Sequence, residues 1–336
     1  MPKINAILVG TGGMARHHIS QILKQPRTTQ IQAMVETSEE QRKITRELFR
    51  SNGKTSPPFY HTISELLENE SRPDAAFIVT PHKFHFENAR DCLNAGLDVL
   101  LEKPMVMNTN EARQLIRVRD KARRILVVAF PGSLSPATHK AKKMIAAGRI
   151  GEVTGVAASV HQKWKTITKG TWRQNSGISG GGFLFDTGSH MINTVVDIIG
   201  DEVAEVSALL DNSGAPVEIN STISGRFRNG VVFSLGGFGD SISCIGNIRL
   251  FGREGILEIG VWGEYLKIRS ASDNDYKPLP FRRSLGVWQQ FLHVRQGKLE
   301  NPCPPEIGLR FARLMDMIRK SAKAGTRVRS RVSKAS

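Results

Sequence analysis

A chain of 336 residues has room for two domains and a sizeable core, and 40% apolar against 23% charged residues places it among globular proteins. No run approaches the ~20 apolar residues of a membrane helix, so no membrane partner is expected. Cys92, Cys244 and Cys303 are widely spaced and odd in number, which suggests neither a disulfide framework nor a metal site. Together with a strand-like start in place of a secretory signal, they point to a reducing cytoplasm. The net charge is +16, and seven of the basic residues fall between Arg319 and the end without an acid. Such a tail is either a solvated surface that draws anionic substrates and cofactor, or a nucleic-acid contact. No nucleic-acid motif accompanies it, so nucleic acid is not an expected partner.

The elements begin with Ile4 to Val9, a short apolar run that reads as a buried strand. Gly10-Thr11-Gly12-Gly13-Met14-Ala15 follows, and a helical pattern runs from Met14 to Gln25. Strand, glycine turn and helix form the context in which G-x-G-x-x-A binds a dinucleotide. Gly10 permits the turn, Gly12 lets the backbone approach a pyrophosphate, and Ala15 lets the helix pack close. Free N–H groups at the helix start meet the negative charge. A second apolar strand, Ile31 to Val35, ends in Glu36, 21 positions beyond Ala15, where an acid takes the ribose hydroxyls of NAD. NAD is therefore the expected cofactor, with NADP the alternative.

Ser38 to Arg50 reads as a helix with Ser38 as N-cap and Gln41 at the capping-box spacing. His61 to Asn69 is a short helix, and Ala75 to Val79 is the next buried strand, ending in Thr80-Pro81-His82. His85 to Ala95 forms a helix closed by Gly96. Asp98 to Leu101 is a strand ending at Glu102-Lys103-Pro104; Thr109 to Arg124 is helical, and Ile125 to Phe130 is one more strand. Alternating strands and helices imply a doubly wound parallel sheet, whose ligands sit at the strands' carboxyl ends. Thr80, Pro81, Glu102, Lys103 and Pro104 all fall there.

Composition changes at Pro131-Gly132. After a helix from Ala137 to Ala147, strands are expected near 153–161, 203–210, 219–228, 231–238, 247–251, 256–260 and 265–269. Asn229-Gly230 is a hairpin turn, so this sheet reads as mostly antiparallel. A helix from Glu306 to about Ala324 carries the apolar stripe Ile307, Phe311, Leu314, Met315 and Ile318.

Within the second region a glycine-rich stretch, Ser176 to Gly182, leads into a helix that stops at Gly200. Asp186 and His190, four apart, would share one helix face, where the carboxylate could orient the imidazole and steady its protonated form. A surface pair with no task would show the same spacing. Gly177-Ile178-Ser179-Gly180-Gly181 also matches the hydrolase nucleophile pattern, but the preceding Thr171 to Asn175 is too polar for the strand that pattern needs. Lys103, at the ligand edge of the first sheet, could donate to a reacting oxygen; the alternative is a solvated lysine. His17 and His18 read as surface cover or a phosphate approach. His82 and His85 flank the cofactor edge, Cys92 reads as core filler, and Trp164 lines a pocket or packs.

Taken in order, Gly10 to Ala15, Thr80-Pro81, Glu102-Lys103-Pro104 and Gly180-Gly181-Gly182-Phe183-Leu184-Phe185-Asp186-Thr187-Gly188-Ser189-His190 resemble the glucose-fructose oxidoreductase / inositol dehydrogenase (Gfo/Idh/MocA) family over nearly the whole chain. The resemblance implies an α/β protein with an N-terminal Rossmann domain, residues 1–130, and a substrate and oligomerisation domain, residues 131–305. The second domain would carry a large, mostly antiparallel open sheet serving homo-oligomer contacts. The closing helix 306–324 would pack back on the first domain, with 325–336 a basic tail. It further implies NAD or NADP and hydride transfer at a secondary alcohol of a sugar, cyclitol or derivative. The residue at His190 would be the acid/base, Asp186 its partner, and Lys103 the contact to the reacting oxygen. Thr80, Pro81, His85 and Glu102 would border the cofactor beside Gly10, Thr11, Gly12, Gly13, Met14, Ala15 and Glu36.

Two departures stand out. Pro131-Gly132-Ser133 replaces a polar or basic pair, and Asn193 stands where relatives often have Asp. Trp172-Arg173 matches a frequent family pair and, with Lys163 and Lys165, would favour an anionic sugar. Lys163, Trp172, Arg173 and Asn193 are thus the substrate-side candidates. Two other activities share the pattern: NAD-dependent glycoside hydrolysis through transient oxidation, and a non-catalytic dinucleotide-binding sensor or regulator.

Overall fold

The computed structural model describes residues 3–330 and divides into two compact units. The first contains the chain up to Val106, Asn110–Ala129 and Leu285–Pro305; the second contains Met107–Thr109, Phe130–Ser284 and the chain from Glu306 onward.

The first unit is built on six strands, β1 (Ile4–Val9), β2 (Thr29–Val35), β3 (Phe59–Tyr60), β4 (Ala75–Ile78), β5 (Asp98–Leu101) and β6 (Leu126–Val128). They pair in parallel in the order β3-β2-β1-β4-β5-β6. β4, β5 and β6 are buried at every position, as a parallel sheet covered on both faces requires. Strand order reverses between β1 and β4, and that switch point is where a doubly wound sheet opens its ligand crevice. The expected helix Glu39–Ser51 forms, with the Ser38 hydroxyl accepting from the Gln41 N–H at 3.3 Å.

The segment that returns to this unit is Leu285–Pro305. Its helix, Val287–Arg295, is tied down by an Arg295–Asp98 ion pair at 2.7 Å and by the Trp288 indole N–H donating to Thr29 Oγ1 at 2.8 Å. The closing helix, Pro305–Ala324, buries Ile307, Phe311, Leu314, Met315 and Ile318 in the second unit's core, where the Phe311 ring lies 5.9 Å from those of Phe130 and Phe185.

Nine strands form the second unit's sheet: β7 (Val153–His161), β8 (Val203–Asp211), β9 (Asn220–Phe227), β10 (Val232–Phe238), β11 (Ile245–Gly252), β12 (Gly255–Gly260), β13 (Leu266–Ser270), β14 (Lys277–Pro278) and β15 (Val328–Arg329). Their order is β14-β13-β12-β11-β7-β10-β9-β8-β15, antiparallel except where β10 runs parallel to β7. Side chains alternate, so Phe233 and Leu235 enter the core while Val232 and Phe238 on the same strand stay exposed.

The front of the expected basic tail is a strand: Val328 and Arg329 pair with Val206 and Glu205, and the Arg327 and Arg329 guanidinium groups reach the Glu205 carboxylate. Residues 331–336 of that tail lie outside the described residues. Among the described residues no helix is long and apolar enough to cross a membrane.

Candidate functional site

In the first unit the glycine loop leaves β1 directly. Gly10 has φ +87°, and a Cβ there would lie 2.8 Å from the Val79 carbonyl oxygen, so this position requires glycine twice over. A Cβ on Gly12 would meet nothing within 4 Å, which leaves open space above the loop. The helix Gly13–Leu23 starts on Gly12 with no capping side chain, and Met14 is exposed. An uncapped helix start beneath an open glycine is the cradle a pyrophosphate needs.

Glu36, at the end of β2, points back to this loop. Its Oε2 accepts the Thr11 N–H at 2.8 Å and the Thr11 hydroxyl at 3.1 Å, and its Oε1 accepts the Ser38 N–H at 2.9 Å. Arg16 braces the loop from below, donating to the Thr11 carbonyl at 2.8 Å and to Gln41 Oε1 at 2.6 Å. An open glycine turn at an uncapped helix start, with a carboxylate at the end of the next strand, fits a dinucleotide.

The strand ends after β4 and β5 are joined by buried side chains. His85 is fully buried, with Nδ1 2.7 Å from the Pro104 carbonyl oxygen and Nε2 2.8 Å from that of Thr80. Two carbonyl acceptors would suit an imidazolium, yet burial pushes the ring below its ordinary range. Either way the ring is a strut between the two loops. Asn88 Nδ2 donates to Thr80 Oγ1 at 3.2 Å.

The carboxylate of Glu102 is also spoken for: Oε1 lies 2.8 Å from His18 Nε2, and Oε2 accepts the Lys103 N–H at 3.0 Å. Burial pushes this carboxyl up, but the His18 contact and the Lys103 charge hold it below its usual value. His18 is therefore buried, which rules out the first of its two expected roles, surface cover. It belongs to the buried face formed with Ala15, Ile19 and Ile22, a spacing of three and four that was visible in the sequence. The Lys103–Pro104 peptide is cis.

In the second unit, Asp186 and His190 lie on successive short helices rather than one. Phe183–Asp186 ends the first, Gly188–Ile199 is the second, and the His190 N–H bonds the Thr187 carbonyl three residues back. The turn between the two residues is tightened at Thr187, which keeps a helical backbone. Asp186 is buried, and its Oδ2 accepts the Trp164 indole N–H at 2.8 Å and Arg173 Nε–H at 3.1 Å. His190 is half-buried between aromatic rings, 5.9 Å from Phe130, edge-on, and 5.8 Å from Trp262.

The glycine run packs against the chain before β9. A Cβ on Gly182 would lie 2.0 Å from the Glu218 carbonyl oxygen, which accepts the Phe183 N–H at 2.9 Å. The Glu218 carboxyl is pushed up by burial. Arg319, itself half-buried, donates to the Gly180 carbonyl at 2.7 Å and the Met107 carbonyl at 3.0 Å, with its guanidinium 4.7 Å above the Phe185 ring. No local pattern pointed to Arg319 or Glu218, because each acts on residues far away in sequence.

The substrate-side candidates scatter. The Arg173 guanidinium stacks 4.6 Å over the Trp172 ring while bonding Asp186, and Lys163 is exposed beside the short helix Trp164–Ile167. Asn193 is fully buried and donates to Ser133 Oγ at 2.8 Å, so its side chain is a core tie rather than an open contact.

These features define an α/β protein with a doubly wound dinucleotide-binding unit. Residues 4–130 match the oxidoreductase family, NAD-binding Rossmann fold, and residues 138–258 match the GFO/IDH/MocA C-terminal domain. The chain belongs to the Gfo/Idh/MocA oxidoreductase family. It is 29% identical over 178 residues to oxidoreductase P35 of Formosa agariphila, covering 52% of this chain and 55% of that protein. It is 26% identical over 140 residues to scyllo-inositol 2-dehydrogenase (NADP+) of Bacillus subtilis, covering 42% and 38%. The chain thus spans about half, or less, of the length of these curated relatives. The fold of levoglucosan dehydrogenase, solved with NADH and levoglucosan, superposes with a TM-score of 0.84 at 21% identity, covering 98% of this chain and all of that one.

Proposed function

We propose that this protein is an NAD-dependent dehydrogenase acting on a secondary alcohol of a sugar, cyclitol or derivative. The observation that carries it is an open glycine loop hooked to Glu36 in a chain that also presents a half-buried imidazole, His190, among aromatic rings. Relatives named for inositol and levoglucosan chemistry support the substrate class.

Gly10 to Ala15 would hold the pyrophosphate, and Glu36 would accept the ribose hydroxyls. The bound cofactor supplies the hydride acceptor. His190 takes the hydroxyl proton of the substrate; because Nδ1 is buried, Nε2 is the nitrogen placed for that transfer. Lys103 donates a hydrogen bond to the oxygen as its negative charge grows. Asp186 is a positioning residue, its buried negative charge favouring the cationic form of the neighbouring imidazole. A carboxylate at Glu36 repels a 2′-phosphate, so NADH binds more tightly than NADPH.

The experiment is a panel of sugars and cyclitols, each followed by absorbance of the reduced cofactor with NAD and with NADP. Turnover with at least one polyol is expected, faster with NAD. Release of sugar from glycosides without net NADH would replace this activity with transient oxidation, and cofactor binding without any turnover would leave a sensor.

We also propose self-association through the open sheet. Phe238, His161 and Ile245 form one row across β10, β7 and β11, and Phe238 and Ile245 are exposed. Light scattering should find an oligomer that Phe238→Glu dissociates; a wild-type monomer would end this assignment.

A further inference from the structure

We infer that the second unit carries an anion site, distinct from the dinucleotide loop, that binds a small organic phosphate monoester. A pocket of about 340 Å³ lies between the helix Pro305–Ala324, the start of β8 and the strand β15. That is near the lower limit of small-molecule sites. Arg310, Arg313, Met317 and Lys320 stand at intervals of three, four and three, so the helix turns one face into this pocket. Arg329 joins from the edge strand already paired with Glu205, and Glu202 and Asp316 are the acids of the lining.

Both acids are already committed. Glu202 pairs with Arg313, and Asp316 accepts the Thr109 N–H at 2.9 Å and pairs with Arg319 at 3.3 Å. Arg310 and Lys320 form no ion pair among the described residues. The Nε–H groups of Arg310 and Arg313 are buried with no hydrogen-bond acceptor. Cations that line a pocket without an acidic partner leave donors there for the oxygen atoms of an anion.

The two lining cations that form no ion pair among the described residues, Arg310 and Lys320, match the charge of a phosphate monoester, about −1.5 to −2 at neutral pH. The remaining wall is apolar, with Val203, Leu314, Met317 and Val328. A ligand with a phosphate at one end and an apolar body at the other satisfies both surfaces, and planar guanidinium groups can each donate to two of the phosphate oxygens.

The test is calorimetric titration of the full-length chain with phenyl phosphate, beside inorganic phosphate and benzoate, with hydrogen exchange to locate the contact. Phenyl phosphate should bind saturably, more tightly than either comparison, and should protect 310–320 and 328–330. Arg310→Gln with Lys320→Gln should weaken it about tenfold or more. Lys320→Gln alone, on an exposed side chain, should weaken it as well, which keeps the test decisive if the double variant fails to fold. Absence of saturable binding, affinity unchanged in the variants, benzoate binding as tightly, or protection confined to Gly10 to Ala15 would each overturn the assignment.

Discussion

In the first unit every parallel strand ends at the same edge of the sheet, and that edge alone collects Gly10, Glu36, Thr80, Glu102 and Lys103. The second unit has no such edge, because its strands alternate in direction almost throughout. There Asp186 and His190 sit on a staircase of short helices, held by bonds from residues distant in sequence: Trp164 to Asp186, Arg319 to Gly180, Glu218 to Phe183. The difference teaches where each unit is vulnerable. Topology places the first set of groups, so only direct damage to the loop should disturb it. Individual side chains place the second set, so changes far from His190 should reach it.

The largest effects belong to chemistry, and they test whether both units contribute to it. His190→Ala should lower turnover by about 10²–10⁴-fold, the worth of a general acid–base, with NADH affinity nearly unchanged. Lys103→Met should lower turnover by about 10²–10³-fold through loss of the donor to the developing oxyanion. Steady-state rates with the best panel substrate, beside NADH fluorescence titrations, separate the two quantities. Unchanged turnover in His190→Ala would reduce the second unit to a scaffold.

The glycine loop offers a comparison within the first unit. Gly10→Ala drives a Cβ against the Val79 carbonyl at a positive φ and should cost about 1–3 kcal/mol of stability in urea unfolding. Gly12→Ala fills only open space, so stability should hold while NADH binding weakens. Equal NADH affinity in Gly12→Ala would show that the loop is a turn and not a phosphate cradle.

The same contrast explains what the sequence revealed. The central strands of the first unit, such as Ala75–Ile78 and Leu126–Val128, are continuous apolar runs, and strands of the second such as Val232–Phe238 alternate in burial, so nearly every long element is legible from its pattern. Strands of two residues, such as Phe59–Tyr60 and Val328–Arg329, exist only through their partners and carry no period of their own. His18 was readable in principle, since it shares the inward face of its helix with Ala15, Ile19 and Ile22. Asn193 was not: its polarity suggested an open contact, and only the fold brings Ser133 beside it as a buried partner. The closing helix showed its apolar stripe plainly but not the core that receives it, because a stripe states that a face is buried without stating where.

Arg319 tests the fragility of the second unit directly. Arg319→Met keeps the bulk over Phe185 but removes the charged donor to the carbonyl oxygens of Gly180 and Met107. A loss of about 1–3 kcal/mol in all is expected in denaturant unfolding. Turnover should fall beyond what the unfolded fraction explains, since the glycine run leads into Phe183–Asp186. A stable variant with full turnover would mean that the staircase holds its shape without this brace.

The smallest effect concerns the charge of the His85 strut. Unfolded, its imidazole titrates near 6.5; folded, burial lowers that value. Between the two, the unfolded chain binds a proton that the folded chain does not, so stability is full above about pH 6.5 and falls as pH drops below it. Each unit of lowering corresponds to about 1.4 kcal/mol. His85→Gln keeps one donor for one carbonyl and cannot titrate. The stability gap between wild type and this variant, from urea midpoints at about pH 8 and about pH 5.5, should therefore narrow on acidification. A gap that widens would show that the Thr80 and Pro104 carbonyls hold the ring protonated, with two hydrogen bonds outweighing burial.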